Sequence, residues 1–421
     1  MRGKVESALG TCSDCDRHAV GSSMVKSSSG PSVPHLVYLD GLRGLLALYV
    51  LTSHFFWPIP DDIAIVRGLA SLFRFGHEAV GFFIVLSGYS LMLPVALSPD
   101  RTLRGGFGGY LYRRARRILP PYYGALWISI AIKAIALRVG PTAVGSINPD
   151  ELSWSSIVSH GLLIHTWVRG QAHQINQALW SVATEWHIYF LFPTILLPIW
   201  RRAGTPALIL AALALGVAPL LLLPMGHHLL VGCPWYVGLF ALGMGCAVVT
   251  TSPRRSPLRH LLPLLSILGF AAILHRLPTL LHFPIEGGRF FYGLCLRDVA
   301  VGLAASCLLL SCARDEGPIS DTGRRHLLVR LLESRPAVAL GTFSYSIYAT
   351  HCAIVDVVAC LIGRLRLSTA GELAFRLGIG VPVALAFAYV FSLGFEVPFL
   401  RSRPRPAVPA ALGARVDGKA A

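Results

Sequence analysis

Ten apolar runs, each about the length of a membrane-crossing helix, constrain this chain more than any other feature. They lie at 36–57, 76–97, 118–138, 179–200, 205–223, 229–250, 261–281, 291–312, 337–362 and 373–395. A helix rises about 1.5 Å per residue, so about 20 residues cross the ~30 Å hydrocarbon core of a bilayer. Inside that core the backbone finds no water, and separate apolar runs satisfy it through intrahelical hydrogen bonds. The predicted fold class is therefore all-α, a polytopic transmembrane helix bundle of about ten crossings. Composition agrees, with 54% of the 421 residues hydrophobic and 14% charged, against roughly 45–50% apolar in soluble domains. A water-soluble globular fold is excluded.

The basic residues predict the orientation. With the N-terminus inside, the two tails and the loops 98–117, 201–204, 251–260 and 313–336 hold 25 Lys and Arg, while the opposite loops hold 6. Cytoplasmic loops carry the excess of Lys and Arg, so both termini are predicted to be cytoplasmic, in a bacterial plasma (inner) membrane. The same bias accounts for the net charge of +16 without a nucleic acid partner. The segment 152–168, LSWSSIVSHGLLIHTWV, carries His160, His165 and four serines. It is predicted to be interfacial or re-entrant, because a full crossing would move Arg201, Arg202, Arg254, Arg255 and Arg259 outside. The domain plan is a disordered cytoplasmic tail over 1–35, a membrane domain over 36–395 and a cytoplasmic tail over 396–421. The polar N-terminal tail offers no secretory signal. Its Cys12 and Cys15, with His18 close behind, lack a second ligand pair, and the other seven cysteines sit in apolar runs as small hydrophobes. No resident metal and no disulfide framework are expected.

A charged group at mid-bilayer costs about 2.5–3.5 kcal/mol or more, so such residues mark cavities and function. In the first run, YLDGLRGLLALYVLTSHFFW, Asp40 and Arg43 sit near the inner end and His54 near the outer end. Arg43 and His54 are eleven residues apart, close to three turns, so they share a face about 16 Å apart along the axis. The second run places His77 and Glu78 at its outer mouth. Before the third, YLYRRARRILPPYY crowds Arg113, Arg114, Arg116 and Arg117 at the inner surface, either as a membrane anchor or as an anion site. The fourth, QALWSVATEWHIYFLFP, puts Trp180, Ser181 and Glu185 in its outer half. The ninth, GTFSYSIYATHCAIV, buries His351 near Tyr345, Ser346 and Tyr348; a packing and a catalytic histidine are both open. Arg297 and Asp298 in the eighth are expected to neutralise each other. His160, His165 and His173 are too irregularly spaced for a metal set and are read as lining a wet entrance. No GxSxG, Walker GxxxxGK[ST], GxGxxG or HExxH occurs, which removes the soluble hydrolase, kinase and dinucleotide readings.

Taken in order, YLDGLRG with His54 eleven after Arg43, GFFIVLSGY, Arg114 and Arg117 before ILP, ALWSVATEW and FSYSIYATH resemble acyltransferase family 3, the ten-helix integral membrane acyl-CoA-dependent O-acyltransferases. The likeness covers about residues 36–395. It implies transfer of an acyl group, usually acetyl, from cytoplasmic acyl-CoA to a hydroxyl on a glycan or secreted small molecule, with no permanently bound cofactor. It also implies functional roles for Arg43, His54, Arg114 and Arg117. Two departures stand out. No hydrolase-like second domain follows residue 395, which suggests a stand-alone membrane enzyme. Gly81 takes the place of an Asp common among relatives, leaving Glu78 as the nearest carboxylate.

The expected mechanism docks the CoA phosphates on Arg43, Arg114 and Arg117 at the inner mouth and carries the thioester to His54 at the outer one. There His54 acts either as general base, oriented by a carboxylate such as Glu185, or as transient acyl carrier. Asp40, Trp180, Ser181, Tyr345 and His351 are expected to support the site. A transporter or flippase, with the same polar path carrying a whole solute, is the alternative class.

Overall fold

The computed structural model describes residues 36–56, 64–139, 149–252, 261–275, 289–313 and 327–400. The predicted tails at 1–35 and from 401 onward, including Cys12 and Cys15, lie outside the described residues, as do the basic residues Arg254, Arg255 and Arg259. The described residues form helices and connecting turns, with no strand among them. Seven stretches are long and apolar enough to cross a membrane: Val66–Leu97, Gly106–Arg138, Leu179–Leu222, His228–Thr251, Phe290–Cys312, Ser344–Leu365 and Thr369–Phe395.

Not all ten expected crossings stand apart among these seven: the first and the seventh, 261–281, of which the described residues hold a 14-residue helix, are not in the set, and the fourth and fifth share one stretch. Helix α1 (Val37–Phe56) has 20 residues but carries Asp40, Arg43 and His54 and is not apolar enough to count with the seven. The expected fourth and fifth crossings lie in one 44-residue stretch made of α6 (Leu179–Leu191), a π-helical turn (Phe192–Leu196) and α7 (Leu197–Leu222). This stretch folds back on itself at Gly204, whose φ of 81° suits a residue without Cβ. Thr184 donates to the Gly232 carbonyl at 2.9 Å, and Gly216 packs on Pro234 and Trp235. Positions 184 and 216 thus share a level, whereas a straight helix would separate them by about 48 Å.

Side-chain contacts give the relative direction of each arm. Arg43 meets Ser90 and Ser53 meets Gly76, so α1 runs against α3 (Gly76–Leu97). Helix α8 (Tyr236–Thr251) runs with α3: Tyr236 meets His77, and Gly88 and Gly243 each sit on the other helix's backbone, near Phe240 and Val85. With no Cβ at either glycine the two helices touch along their main chains, the close approach that small residues permit in membranes. Helix α9 (Leu262–His275) packs beside α10 (Arg289–Cys312), which follows α8 from Trp235–Asp298 at one end to Cys246–Ser306 at the other. Short helices α11 (Leu327–Leu332) and α12 (Arg335–Thr342) brace the start of α1, where Gly341 touches Asp40. Helix α13 (Ser344–Leu365) then rises alongside α1 to bring His351 to His54. Helices α14 (Thr369–Phe375) and α15 (Val381–Phe395), joined by a π-turn, return against it. The ordered fold continues past the expected boundary at 395: Glu396, 4% exposed, accepts from the Ser346 N–H at 3.2 Å and hydroxyl at 2.5 Å.

One loop reading changes, at 106–117. Residues 106–117 are not a loop: α4 (Gly106–Val139) is 34 residues long, so the arginine cluster is helical and its side chains have fixed directions. The segment 152–168 contains one α-helix, the eight-residue α5 (Trp154–Gly161), about 12 Å long and too short to cross, followed by a 3-10 turn at His165–Trp167. It dips beside α4 and returns. Glu151 pairs with Lys133, the His160 and Gly161 carbonyls accept from Tyr122 and Tyr123 some 16 Å lower on α4, and Asn176 is back beside Ser129. The segment doubles back along α4. His160 and His165 are fully buried with stacked rings 3.9 Å apart, so they do not line a wet entrance; His173 is exposed.

Candidate active site

A cavity of about 100 Å³ opens between α1, α3, α4, α6 and α13, and its lining joins residues far apart in sequence. Arg43, Arg114 and Arg117 form its cationic side; Ser87, Ser90, Ser181 and Glu185 add polar groups. Arg43 projects from α1 because its guanidinium has two partners, Ser90 Oγ at 2.5 Å across the helix interface and Asp40 at 3.3 Å one turn back. Arg114 and Arg117, three apart on α4, share a face. Arg114 Nε is buried with no hydrogen-bond partner among the described residues, so its guanidinium is not consumed by the fold. Tyr345 lines the same cavity and is fixed by a 3.2 Å bond from its hydroxyl to the Ile118 carbonyl.

Glu185 does not orient His54. It accepts from Ser87, and from Tyr189 one turn along at 2.5 Å. Ser87 lies three residues from Ser90, the level of Arg43, and eleven from Gly76, the level of His54. The carboxylate therefore belongs to the arginine cavity and is about 16 Å from the level of His54. Sequence position puts Glu185 in the outer half of its run, and α6 does begin at the histidine level, where Trp180 stacks on His77; the Glu185 side chain reaches away from that level to Ser87.

The cavity narrows where Ser181 and Tyr348 hydroxyls meet at 2.5 Å. One turn beyond Tyr348 lies His351, whose ring meets that of His54 edge-on at 4.7 Å. The His54 Nδ1–H donates to the Val50 carbonyl at 2.9 Å; a carbonyl only accepts, so the lone pair is on Nε2. His351 Nδ1–H donates to the Tyr348 carbonyl at 2.7 Å and its Nε2 faces the Cys352 thiol at 3.4 Å. Both His351 nitrogens are engaged, which favours a packing and supporting role.

Glu78 and its neighbours pair crosswise. Arg297 meets Glu78 at 2.9 Å, and Asp298 meets His77 at 3.1 Å. The expected Arg297–Asp298 neutralisation does not form, since adjacent residues on a helix project about 100° apart. That rule was available from the sequence; the identity of the partners was not. Ser90 and Tyr189 were missed as well, although Tyr189 stands at the i+4 position from Glu185. Trp180 stacks on His77 with centroids 5.7 Å apart and planes 8° from parallel. Gly81 packs closely: a Cβ there would lie 3.3 Å from Leu239 Cδ2 and 3.9 Å from Oδ1 of Asp298, which reaches it from α10. Two sets, His54–His351–Cys352 and His77–Cys233–Asp298, bring three potential ligand atoms within 4.8 Å. In each set some histidine nitrogens are taken by hydrogen bonds, Nδ1 of His54 and of His351 by backbone carbonyls and Nε2 of His77 by Asp298.

The described residues thus form a multi-pass helical membrane bundle with a cationic cavity at one level and histidines beyond it. The family profile described as "Acyltransferase domain" matches residues 36–400, and the chain belongs to acyltransferase family 3. It is 27% identical over 343 residues to a Bacillus subtilis (strain 168) protein named "Putative peptidoglycan O-acetyltransferase YrhL", an alignment covering 75% of this chain and 48% of that protein. The chain thus spans about half the length of this curated relative. No solved structure matches the chain.

Proposed function

We propose that the protein transfers an acyl group, acetyl in the first instance, from acyl-CoA to a hydroxyl of a cell-envelope glycan, with peptidoglycan as the first acceptor to test. The observation that carries this reading is the joining of Arg43, Arg114 and Arg117 around one cavity, with His54 beyond its narrow end on the same face of α1 as Arg43. Guanidinium forks bind phosphate in bidentate fashion. The nucleotide docks at the arginines and the pantetheine arm carries the thioester about 16 Å towards His54, which requires the Ser181–Tyr348 contact to part. His54 Nε2, the lone-pair nitrogen, acts at the reacting carbonyl.

In this reading the chain makes ten crossings of the plasma membrane, with the arginine end and both termini cytoplasmic and the histidine end facing the acceptor. The alternation of helix directions supports the count, and the distribution of basic residues supports the sidedness. The test is transfer of labelled acetyl from acetyl-CoA to peptidoglycan fragments by purified protein in lipid nanodiscs. Transfer is expected. CoA binding without transfer or hydrolysis would overturn the reading.

A further inference from the structure

Acyl transfer through His54 leaves a second outer histidine without a task. His77 stands three, seven and ten residues before Val80, Ile84 and Ser87, all of which line the arginine cavity. It therefore continues their stripe of α3 beyond the narrow end. Its ring is fixed on three sides: Nε2–H donates to Asp298 Oδ2 at 3.1 Å, the Trp180 ring lies parallel to it, and the Tyr236 hydroxyl is 3.3 Å from the same nitrogen. Asp298 is 0% exposed and anchored in turn by Trp235 Nε1–H at 2.8 Å. The His77 side chain keeps 26% exposure, so it is reachable.

With Nε2–H committed to a carboxylate, the lone pair of His77 is on Nδ1, and an imidazolium formed there has a buried anion beside it. His54 has no carboxylate; its partners are a backbone carbonyl and His351. The other acid nearby does not compete, because Glu78 is taken by Arg297.

Resting on the acyl-transfer reading above, we propose that His77, oriented by Asp298, accepts the proton of the acceptor hydroxyl, and that His54 carries the acyl group. In the first step His54 Nε2 forms a bond to the acyl carbon as the C–S bond breaks; the CoA thiolate leaves towards the arginine end and takes a proton from water. In the second, the acceptor oxygen bonds the acyl carbon as the C–N bond breaks, and its proton passes to His77 Nδ1. His54 returns to its neutral form, and His77 releases the proton to water on the acceptor side. Asp298 acts throughout as a positioning residue.

The experiment compares ethanol with 2,2,2-trifluoroethanol as acceptors, with acetyl-CoA as donor and ester formation as the readout. The more acidic alcohol needs less help from a base. In His77→Gln, transfer to ethanol is expected to fall by about 10²–10⁴-fold, and transfer to trifluoroethanol by far less. Asp298→Asn is expected to shift the two rates in the same sense by smaller factors. Acetyl-CoA binding, measured by calorimetry, checks that each variant is folded. Equal losses with both alcohols, or an ethanol rate within about threefold of wild type, overturn the assignment of His77. A wild-type protein that acylates no hydroxyl, alcohol or glycan, overturns the acyl-transfer reading and this proposal with it.

Discussion

The two ends of the polar path are built on opposite electrostatic plans. At the arginine end, the cavity lining holds three guanidinium groups and one carboxylate, Glu185, which is itself held by two hydroxyls, while Asp40 pairs with Arg43 from one turn back. The cavity keeps a surplus of positive charge. At the histidine end, each carboxylate has a cationic or protonatable partner, Glu78 with Arg297 and Asp298 with His77. Surplus charge in a low-dielectric setting is costly unless a counter-charge arrives, so the first plan suits binding an anion. Paired charge costs less to maintain and can pass a proton without a net change in the site, so the second suits chemistry.

The comparison assumes that the ends face opposite sides of the membrane, which is the sharpest way to break it. In a cysteine-free background, Arg169→Cys is expected to react with an impermeant thiol reagent on intact cells, and Arg202→Cys to be shielded. The result is all or none, and the reverse pattern would invert the two ends. Next in size is His54→Ala, for which labelled acetyl transfer is expected to fall by about 10²–10⁴-fold with abundance unchanged; activity above about a tenth of wild type would remove His54 from the chemistry.

At the arginine end, the double variant Arg114→Lys with Arg117→Lys preserves charge but not the planar fork. Calorimetry is expected to show acyl-CoA affinity weakened about tenfold, or about 1.4 kcal/mol. Unchanged affinity would mean that these arginines only anchor α4. The smallest effect concerns the fold that aligns the ends: Gly204→Ala forces a Cβ into positive φ and is expected to cost about 1–2 kcal/mol, read as a lower unfolding temperature. No change there would mean that the reversal tolerates a side chain.

Much of this arrangement was legible beforehand, and the parts that were not share a cause. Arg43 and His54 lie on one helix, so periodicity alone placed them on one face and fixed their spacing. Arg114 and Arg117 likewise needed only their three-residue separation, although reading 98–117 as a loop hid the α4 turns that direct them. Glu185 was given the wrong partner because its contact with Ser87 depends on how α6 packs on α3, and no local pattern records that. The crosswise pairing of 77–78 with 297–298 depends on the rotation of α3 and α10 about their own axes, which side-chain packing decides.

By itself, the sequence determined that this chain is a membrane-embedded helical bundle, where its main apolar segments run and which ionisable residues need a reason to be buried. These follow from transfer of single segments between water and hydrocarbon, an energy that each run settles independently. Only the tertiary structure decided which buried charges meet. Helix α1 chose Ser90 and His351 as neighbours because Gly76 and Gly341 let the backbones approach. Asp298 reached His77 because α3, α8 and α10 run in the same direction, with their contacts in register from Trp235 to Ser306. Such pairings rest on close packing between segments tens to hundreds of residues apart, where shape sets the register and charge follows it.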